Sequence, residues 1–270
     1  MTRGLNLTGI RAVISDMDGV LWRGPLPLPG LADFFDFLDS RAIPLVLASN
    51  NSTATPAQYQ QKLANWGLKV ELDHILTCTL ATVGYLRREF SQGAGLYVVG
   101  EKSLRDAIRA AGFNLLADAS QPAEAVVVGG DRTLTYDKLK NASLLVRRGA
   151  RFIGTNPDVL CPTDEGLVPE AGTILAAIQA ATEVVPLVIG KPEPPLFELA
   201  LTRLDSPPRQ TVMLGDRLDT DILGAQRAGL KTILLKTGVD NEDSISQKGI
   251  QPDAVFSGLE ELVERWRAQR

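Results

Sequence analysis

Two acidic residues, Asp16 and Asp18, follow a short apolar run near the start of the chain. The run, 12–15, is typical of a buried β-strand, and Gly19 marks the point where the chain leaves it. Side chains two apart on an extended chain point the same way, so both carboxylates can face one site. Adjacent carboxylates repel one another unless a cation lies between them, and Mg²⁺ suits oxygen ligands. Taken alone, the stretch is more typical of an Asx-turn with two solvated acids.

A second acidic group follows the apolar segment 211–215. It contains Asp216 and Asp221, with Asp219 between them, at a predicted strand-to-helix junction. Acids in this position can simply complement the helix macrodipole. In combination with the first acidic pair, however, they favour a metal site built from carboxylate oxygens.

Ser49 and Lys191 also follow predicted strands. Ser49, with Asn50 after it, ends the apolar run 43–48, and Lys191 comes directly after 186–189. Taken singly, Ser49 is equally typical of a turn or a helix cap, and Lys191 is more typical of a surface lysine. Active sites in parallel sheets lie beyond the carboxyl ends of the strands, so four such residues can converge on one site: Asp16, Ser49, Lys191 and Asp216.

Predicted strands alternate with predicted helices along the whole chain, which indicates an α/β fold with a doubly wound, mostly parallel sheet. The strands are expected at 12–15, 43–48, 75–77, 96–99, 125–128, 151–155, 186–189, 211–215, 232–235 and 254–256. The helices are expected at 31–38, 56–66, 80–88, 104–111, 136–148, 174–181 and 259–266. The alternation starts afresh at about Gly93, which suggests a second set of elements.

Composition narrows the class of protein. The 270 residues are 44% hydrophobic and 22% charged, as expected for a globular protein with one large domain or two smaller ones. A formal net charge of -4 gives no general attraction to nucleic acid or to anionic membranes. Cys78 and Cys161 have no metal-ligand spacing and predict free thiols in a reducing compartment. Without a signal-peptide pattern or a membrane-length apolar run, we expect a cytoplasmic protein that binds neither nucleic acid nor membrane.

The residue types together match the needs of phosphoryl transfer. A carboxylate can act as nucleophile and form an aspartyl-phosphate. A second acid can protonate the leaving oxygen and then activate water. A cation offsets charge on the phosphoryl oxygens, while hydroxyl, amide and lysine donors hold those oxygens in place. The sequence therefore predicts phosphoryl transfer with Mg²⁺ as cofactor.

In order and spacing, the four segments resemble the haloacid-dehalogenase-like (HAD) hydrolase superfamily. Its four motifs are similar, in turn, to Asp16-Met17-Asp18-Gly19, Ser49, Lys191 and Gly215-Asp216 through Asp221. More narrowly, the chain resembles the 4-nitrophenylphosphatase or NagD-like subfamily, which includes phosphoglycolate, pyridoxal and bacterial nucleotide phosphatases. This closer resemblance is carried by Asp18-Gly19-Val20-Leu21-Trp22, Ser49-Asn50-Asn51-Ser52, Gly154-Thr155-Asn156-Pro157-Asp158 and Gly215-Asp216-Arg217-Leu218-Asp219-Thr220-Asp221.

The resemblance implies a role for each matching residue. Asp16 would be the nucleophile and a metal ligand. Asp18 would be the general acid and base, and would lend its backbone carbonyl to Mg²⁺. Asp216 would bind the metal directly, and Asp221 would orient metal-bound water. The residues implied to hold phosphate are Ser49, Asn50 and Lys191, with Lys191 also restraining Asp16.

The resemblance also implies a large α/β cap inserted between the second and third motifs. The restarted βα run matches it, so we expect a Rossmann-like core at 1–91 and 185–270 and a smaller inserted cap at 92–184. Subfamily members often form homodimers through the cap, and the resemblance implies that partner here as well.

A loop of the cap is expected to select the substrate. Its candidate residues are Asn156, Asp158, Leu160 and Cys161. In pyridoxal phosphatases the places of Leu160 and Cys161 hold an aromatic residue and a histidine that cradle the pyridine ring. Here both are smaller groups without a stacking face. We therefore expect an enzyme that is not specialised for pyridoxal phosphate.

The expected activity is Mg²⁺-dependent hydrolysis of small phosphomonoesters, with several alternatives. A phosphomutase would return the phosphoryl group to a sugar instead of water. Outside the enzymes, a receiver-like phospho-acceptor switch or a catalytically silent binding module would use similar groups. A dehalogenase is disfavoured because its chemistry needs no acid at the position of Asp18.

The segment Gly130-Asp131-Arg132 resembles the fourth motif. Tyr136 occupies the position where that motif requires an acid, so we interpret the segment as structural.

Overall fold

The computed structural model describes residues 6–163 and 165–269 and divides them into two compact units. The first unit contains the described residues up to Ser49, Pro56–Leu76, and the described residues from Lys191 onwards. The second contains Asn50–Thr55 and Thr77–Gly190, apart from residue 164. Residues 1–5, 164 and 270 of the predicted core and cap lie outside the described range.

Strands and helices alternate as the hydrophobic pattern predicts. The helices are α1 (Leu31–Ser40), α2 (Pro56–Ala64), α3 (Cys78–Glu89), α4 (Lys102–Ala110), α5 (Tyr136–Arg147), α6 (Ala171–Thr182), α7 (Pro194–Leu204), α8 (Leu223–Arg227), α9 (Glu242–Lys248) and α10 (Leu259–Ala268). The strands are β1 (Ala12–Ser15), β2 (Trp22–Arg23), β3 (Leu26–Pro27), β4 (Leu45–Ser49), β5 (Ile75–Thr77), β6 (Gly95–Val99), β7 (Asn114–Leu115), β8 (Ala125–Val128), β9 (Arg151–Gly154), β10 (Leu160–Thr163), β11 (Gly166–Pro169), β12 (Leu187–Val188), β13 (Thr211–Gly215), β14 (Lys231–Leu235) and β15 (Ala254–Phe256).

The first unit is built on a six-stranded parallel sheet with strand order β15-β14-β13-β1-β4-β5. The central strand β1 is buried along its whole length, with Ile14 beside Met213 on one side and Val46 on the other. Continuous burial of this kind is typical of parallel strands covered on both faces. Because the strands are parallel, the residues that follow β1, β4 and β13 lie at the same edge of the sheet.

The second unit has its own five-stranded parallel sheet, with strand order β12-β9-β8-β6-β7. Its apolar core packs β6, β8 and β9 against α5 and α6. The short strand β12 pairs with β9, with Leu187 beside Ile153. The predicted cap limits, 92–184, leave β12 and α3 outside the insertion, whereas both lie in the second compact unit. Strand partners are far apart in sequence, so local periodicity does not identify the sheet to which a two-residue strand belongs.

Several short elements are missing from the predictions. The antiparallel pairs β2–β3 and β10–β11 contain no continuous apolar run, because β2 and β3 have two residues each and β10 and β11 are interrupted by Pro162 and Pro169. The predicted elements also omit α7 and α9, and α8 is expected only as the helix after the strand-to-helix junction at Asp216 to Asp221, without bounds. Among the described residues, no helix is both long and apolar enough to cross a membrane.

Two helical glycines make a matched test of the packing. Gly84 is exposed in α3, and a Cβ at this position would have no neighbouring atom within 4 Å. In α6, a Cβ on Gly172 would lie 2.2 Å from the backbone oxygen of Pro157. Alanine in a helix interior is favoured over glycine by about 0.5–1 kcal/mol, so Gly84→Ala should raise the unfolding midpoint.

Gly172→Ala should instead lower the midpoint, because the methyl group must push a backbone segment away. Thermal and denaturant unfolding of the two purified variants against the wild type give the comparison. Equal shifts of the same sign would contradict the packing of α6 against the loop at Pro157.

Candidate active site

The turn after β1 carries the first two acidic residues. The Asp16 N–H donates to Leu214 O on β13 at 2.9 Å, which continues the strand pairing up to the catalytic candidate. The chain then reverses, with the N–H groups of Leu21 and Trp22 both donating to Met17 O. Gly19 has φ +86, and a Cβ there would lie 2.4 Å from Asp216 Oδ2. This position therefore requires glycine for both its backbone conformation and its close approach to an acid.

Lys191 is buried, with 2% of its side chain exposed, at the point where the chain enters α7. Its ammonium group lies 2.5 Å from Asp16 Oδ1 and 2.7 Å from Asp221 Oδ1. It also donates to Ala48 O, at the end of β4, at 2.9 Å. The ammonium group thus donates hydrogen bonds to Asp16 and to Ala48 O and forms an ion pair with Asp221.

The charge environment keeps Lys191 protonated. Burial lowers the pKa of an ammonium group, but the negative charges of Asp16 and Asp221 more than offset this, so the pKa of Lys191 is raised. Lys191 is therefore a buried positive charge paired with Asp16, and its role in restraining Asp16 stays a prediction.

Three carboxylates, those of Asp16, Asp216 and Asp221, have oxygen atoms that lie within 4.8 Å of one another. They come from the ends of β1 and β13 and from a turn of π-helix, Leu218–Ile222. The turn is anchored by Leu218 and Ile222, which pack in an apolar cluster with Leu234 of β14. The sheet edge and this apolar anchor together aim all three acids at one point.

Burial and the neighbouring negative charges raise the pKa values of Asp16 and Asp216. Burial, together with the neighbouring Asp221, raises the pKa of Asp216 to about 7, against the lowering effect of the Val239 N–H. Burial likewise raises the pKa of Asp16 well above its usual range, although Lys191 pulls in the opposite direction. One lysine thus does not neutralise the cluster, which is a buried site with an excess of negative charge.

The donor set fits a hard divalent cation. All three side chains offer carboxylate oxygens, the ligand type that Mg²⁺ prefers. Space for Asp216 is secured by Gly19 and Gly238, since a Cβ on Gly238 would lie 1.8 Å from Asp216 Oδ2. The acidic triad can therefore bind a metal ion.

The triad differs in detail from the predicted ligand set. Asp221, for which we predict contact through metal-bound water, places a carboxylate oxygen in the same group as Asp16 and Asp216. For Asp18 the predicted ligand is the backbone carbonyl, and this stays a prediction; the Asp18 side chain lies outside the group, and its Oδ1 accepts from Trp22 Nε1 at 2.6 Å. Asp219, between the two later acids in sequence, is half exposed and pairs instead with Lys248 and Arg217.

The predicted phosphate-binding residues fall in both compact units. Ser49 is buried at the end of β4, and Lys191 belongs to the same unit. Asn50 belongs to the second unit, where its backbone oxygen accepts from Asn156 Nδ2 at 2.8 Å and its side chain donates to Asp158 Oδ2 at 3.2 Å. Their roles toward phosphate remain predictions.

The candidate specificity residues lie in a loop and hairpin of the second unit. Asn156 is fully buried and its Oδ1 accepts from the Asp158 N–H at 3.0 Å, so its side chain shapes the loop from within. Leu160 and Cys161 lie on β10, paired with Pro169 and Val168 of β11. Leu160 is 46% exposed, so it is available for contact with other molecules.

Two structurally important residues were not assigned a role from sequence. Asp240 accepts from the Leu218 N–H at 2.7 Å and from Lys248 Nζ at 2.9 Å, and its own N–H donates to Asp216 O. It therefore supports the loop that carries the later acids, and no sequence signal identifies it. Trp22 belongs to a motif that carries the family resemblance, and this membership is the sequence feature that could have indicated its importance. By contrast, Asp131 is tied to Lys138 and Thr133, in agreement with its structural interpretation.

Comparison with known proteins supports the resemblance stated from the motifs. Residues 13–114 match the family model of haloacid dehalogenase-like hydrolases, and residues 188–262 match a model described as HAD-hydrolase-like. An acid sugar phosphatase of Staphylococcus saprophyticus is 37% identical over 94% of this chain and 97% of its own length.

Solved structures agree in fold as well as sequence. The 4-nitrophenylphosphatase of Thermotoga maritima has a TM-score of 0.90 and 34% identity, over 96% of this chain and 98% of its own. NagD of Escherichia coli K-12 has a TM-score of 0.85 and 34% identity, over 93% and 98% of the two chains. With this identity over nearly the full length of both partners, the chain belongs to the HAD-like hydrolases, in the NagD and p-nitrophenylphosphatase subfamily, and is a phosphatase.

Proposed function

We propose that this phosphatase hydrolyses small phosphomonoesters, sugar phosphates among them, through an aspartyl-phosphate intermediate on Asp16. The observation that carries the proposal is the buried cluster in which Lys191 holds Asp16 beside Asp216 and Asp221. The names of the relatives, an acid sugar phosphatase and a 4-nitrophenylphosphatase, support phosphomonoesters as the substrate class. In this proposal the second unit, with its separate sheet, is the cap that selects the substrate.

The first half-reaction is nucleophilic attack by Asp16 on phosphorus. Lys191 binds Asp16 Oδ1 at 2.5 Å, which leaves the other carboxylate oxygen to form the new oxygen–phosphorus bond. As that bond forms, the bond from phosphorus to the leaving oxygen breaks. Asp18 gives its proton to the leaving oxygen, and an alcohol departs.

The second half-reaction returns the enzyme to its starting state. Asp18, now a carboxylate, takes a proton from a water molecule that attacks the phosphorus of the aspartyl-phosphate. The Asp16 carboxylate is released together with inorganic phosphate, and Asp18 is protonated again. Lys191 and Ser49 hold phosphoryl oxygens through both steps.

Asp16, Asp216 and Asp221 would hold Mg²⁺, with the backbone carbonyl of Asp18 as a further proposed ligand. The cation supplies charge stabilisation for the phosphoryl oxygens when bound. It would also offset the repulsion from Asp221, which together with burial, the larger cause, raises the pKa of Asp216 to about 7.

Asp16→Asn should abolish turnover and leave the fold intact. The amide is nearly isosteric with the carboxylate but is a far weaker nucleophile, so the acyl-phosphate does not form. Turnover and thermal unfolding of the purified variant test this, with Asp131→Asn in the look-alike Gly130-Asp131-Arg132 as the matched control that keeps activity. The wild-type enzyme should also lose activity in excess EDTA and regain it with Mg²⁺. Normal turnover of Asp16→Asn, or full activity in EDTA, would contradict the mechanism.

Asp18→Asn should lower kcat by about 10²–10⁴-fold, because general acid–base assistance is worth that much. KM should change little, since the loss is in the chemical steps. Steady-state kinetics of Asp18→Asn and of the control Asp219→Asn, each against the wild type, test this expectation. Asp219 is an acid of the same loop region that lies outside the triad and pairs with Arg217. A raised KM with unchanged kcat would make Asp18 a binding residue.

Pyridoxal phosphate should be no better a substrate than phosphoglycolate, a nucleoside monophosphate or 4-nitrophenyl phosphate. Leu160 and Cys161 offer neither a stacking face nor a strong hydrogen-bond donor at the proposed specificity hairpin. Values of kcat/KM across this panel test the expectation, and a clear pyridoxal preference would refute it.

The converse change should create the preference. Leu160→Trp combined with Cys161→His should shift the same panel towards pyridoxal phosphate. Leu167→Trp, on the facing strand β11 and 68% exposed, is the control for adding an aromatic ring to the hairpin. An active double variant with an unshifted panel would show that specificity is set elsewhere.

A further inference from the structure

Trp22 connects an exposed acid to a buried aromatic cluster. The Asp18 side chain is exposed, yet its Oδ1 accepts from the indole N–H of Trp22 at 2.6 Å. Trp22 itself is fully buried. A single short hydrogen bond thus joins the proposed general acid, which must reach substrate and water, to a side chain that is fixed in the core.

The aromatic cluster restrains the indole ring from several sides. Tyr59 stacks on Trp22 with ring centroids 5.9 Å apart, and Trp66 packs against it at 5.7 Å. The ammonium group of Lys62 lies 4.3 Å from the Trp22 ring centroid and donates to Gly24 O at 2.9 Å. A fully buried ring in contact with two other aromatic rings and an ammonium group has little freedom to rotate, so its N–H direction is restricted.

The backbone of the turn fixes the spacing between the two residues. The Gly19 N–H donates to Trp22 O at 2.7 Å, and Asp18 and Trp22 form an isolated β-bridge. This tight reversal places residues four apart in sequence side by side. All of the residues in the arrangement belong to the first compact unit.

We infer that Trp22 is a positioning residue that holds the Asp18 carboxyl group in the orientation for proton transfer to the leaving oxygen. The inference rests on the proposed role of Asp18 as general acid and base. An exposed aspartate would otherwise sample several rotamers, and proximity effects in catalysis depend on holding one of them.

The chemistry of the indole N–H adds a second consequence. An indole is a donor only, so Asp18 Oδ1 remains an acceptor whether or not the carboxyl group carries a proton. A protonated carboxyl group accepts hydrogen bonds better through its carbonyl oxygen than through its hydroxyl oxygen, so in this proposal the transferred proton lies on Oδ2. Trp22 thereby determines which oxygen of Asp18 faces the leaving group.

Trp22→Phe removes the N–H and keeps an aromatic ring in the cluster. Two aryl phosphates of nearly equal shape separate its effects, because 4-nitrophenolate leaves without a proton whereas 4-methylphenolate is more basic and needs one. The kcat/KM value of each reports the first irreversible step, transfer to Asp16. We expect kcat/KM for 4-methylphenyl phosphate to fall on the order of tenfold and that for 4-nitrophenyl phosphate to change less than about threefold.

Two further variants test whether the effect of Trp22→Phe comes from the lost N–H or from disturbed packing of the cluster. Replacing Trp22 by 3-benzothienylalanine exchanges the N–H for sulfur while keeping the bicyclic shape, and it should show the same leaving-group dependence. Trp266→Phe makes the same ring change, with loss of the indole hydrogen bond to Leu7 O, at a buried tryptophan of α10 outside the cluster. It should leave the ratio of the two kcat/KM values at the wild-type level.

Asp18→Asn distinguishes failure of this inference from failure of the proposed function. If Asp18 is the general acid, Asp18→Asn depresses 4-methylphenyl phosphate turnover most, and adding Trp22→Phe causes no further loss. Suppose that Asp18→Asn lowers 4-methylphenyl phosphate turnover, but neither Trp22→Phe nor the 3-benzothienylalanine replacement lowers kcat/KM selectively for that substrate. This result overturns the positioning role of Trp22 and leaves the proposed function standing. If Trp22→Phe lowered kcat/KM equally for both substrates, and did so in the Asp18→Asn background as well, Trp22 would be a packing residue and the positioning role would be wrong. An Asp18→Asn enzyme without leaving-group dependence would overturn the acid–base role itself.

Discussion

The ammonium group of Lys191, enclosed by two carboxylates and a backbone carbonyl, is the interaction on which the site depends. The buried cluster contains three acids and one lysine, so ionisation of all four groups leaves an excess of negative charge. An uncompensated buried charge is costly, and the raised pKa of Asp216, about 7, expresses that cost. The same imbalance is what makes the site suited to a divalent cation. Stability and cofactor binding thus draw on one electrostatic arrangement.

Parallel strand geometry brings the charges of this arrangement together. Neighbouring strands β4, β1 and β13 end at one edge, so Ala48 O, Asp16 and Asp216 meet although their positions in the sequence are far apart. The glycines beside the acidic triad have no room for a side-chain atom. A Cβ on Gly215 would lie 2.2 Å from Asp221 Cβ. A Cβ on Gly19 would lie 2.4 Å from Asp216 Oδ2, and a Cβ on Gly238 would lie 1.8 Å from the same oxygen. The glycines of the motifs are therefore steric requirements of the acidic triad.

Features with local sequence signals could be predicted, and features that depend on distant partners could not. Short continuous apolar runs indicated β1 and β13, and the rule that sites follow strand ends indicated that Asp16, Lys191 and Asp216 come together. Strand β12 has two residues, and its partner β9 is more than thirty residues away, so pairing had to come from the structure. Asp240 supports the site through hydrogen bonds to the Leu218 N–H and to Lys248, and no spacing rule connects those positions.

The two acids of the first motif face opposite physical demands, and the turn between them reconciles these demands. In the proposed mechanism Asp16 must be held in place, and its ion pair with the buried Lys191 supports this, with 13% of the Asp16 side chain exposed. In the same mechanism Asp18 must exchange protons with substrate and water, so it needs exposure, and an exposed side chain loses orientation to rotamer entropy. Its bond to the buried Trp22 restores that orientation without removing the carboxyl group from solvent. Since both anchors, Lys191 and Trp22, lie in the first compact unit, the geometry of the proposed nucleophile and the proposed general acid depends on contacts within that unit.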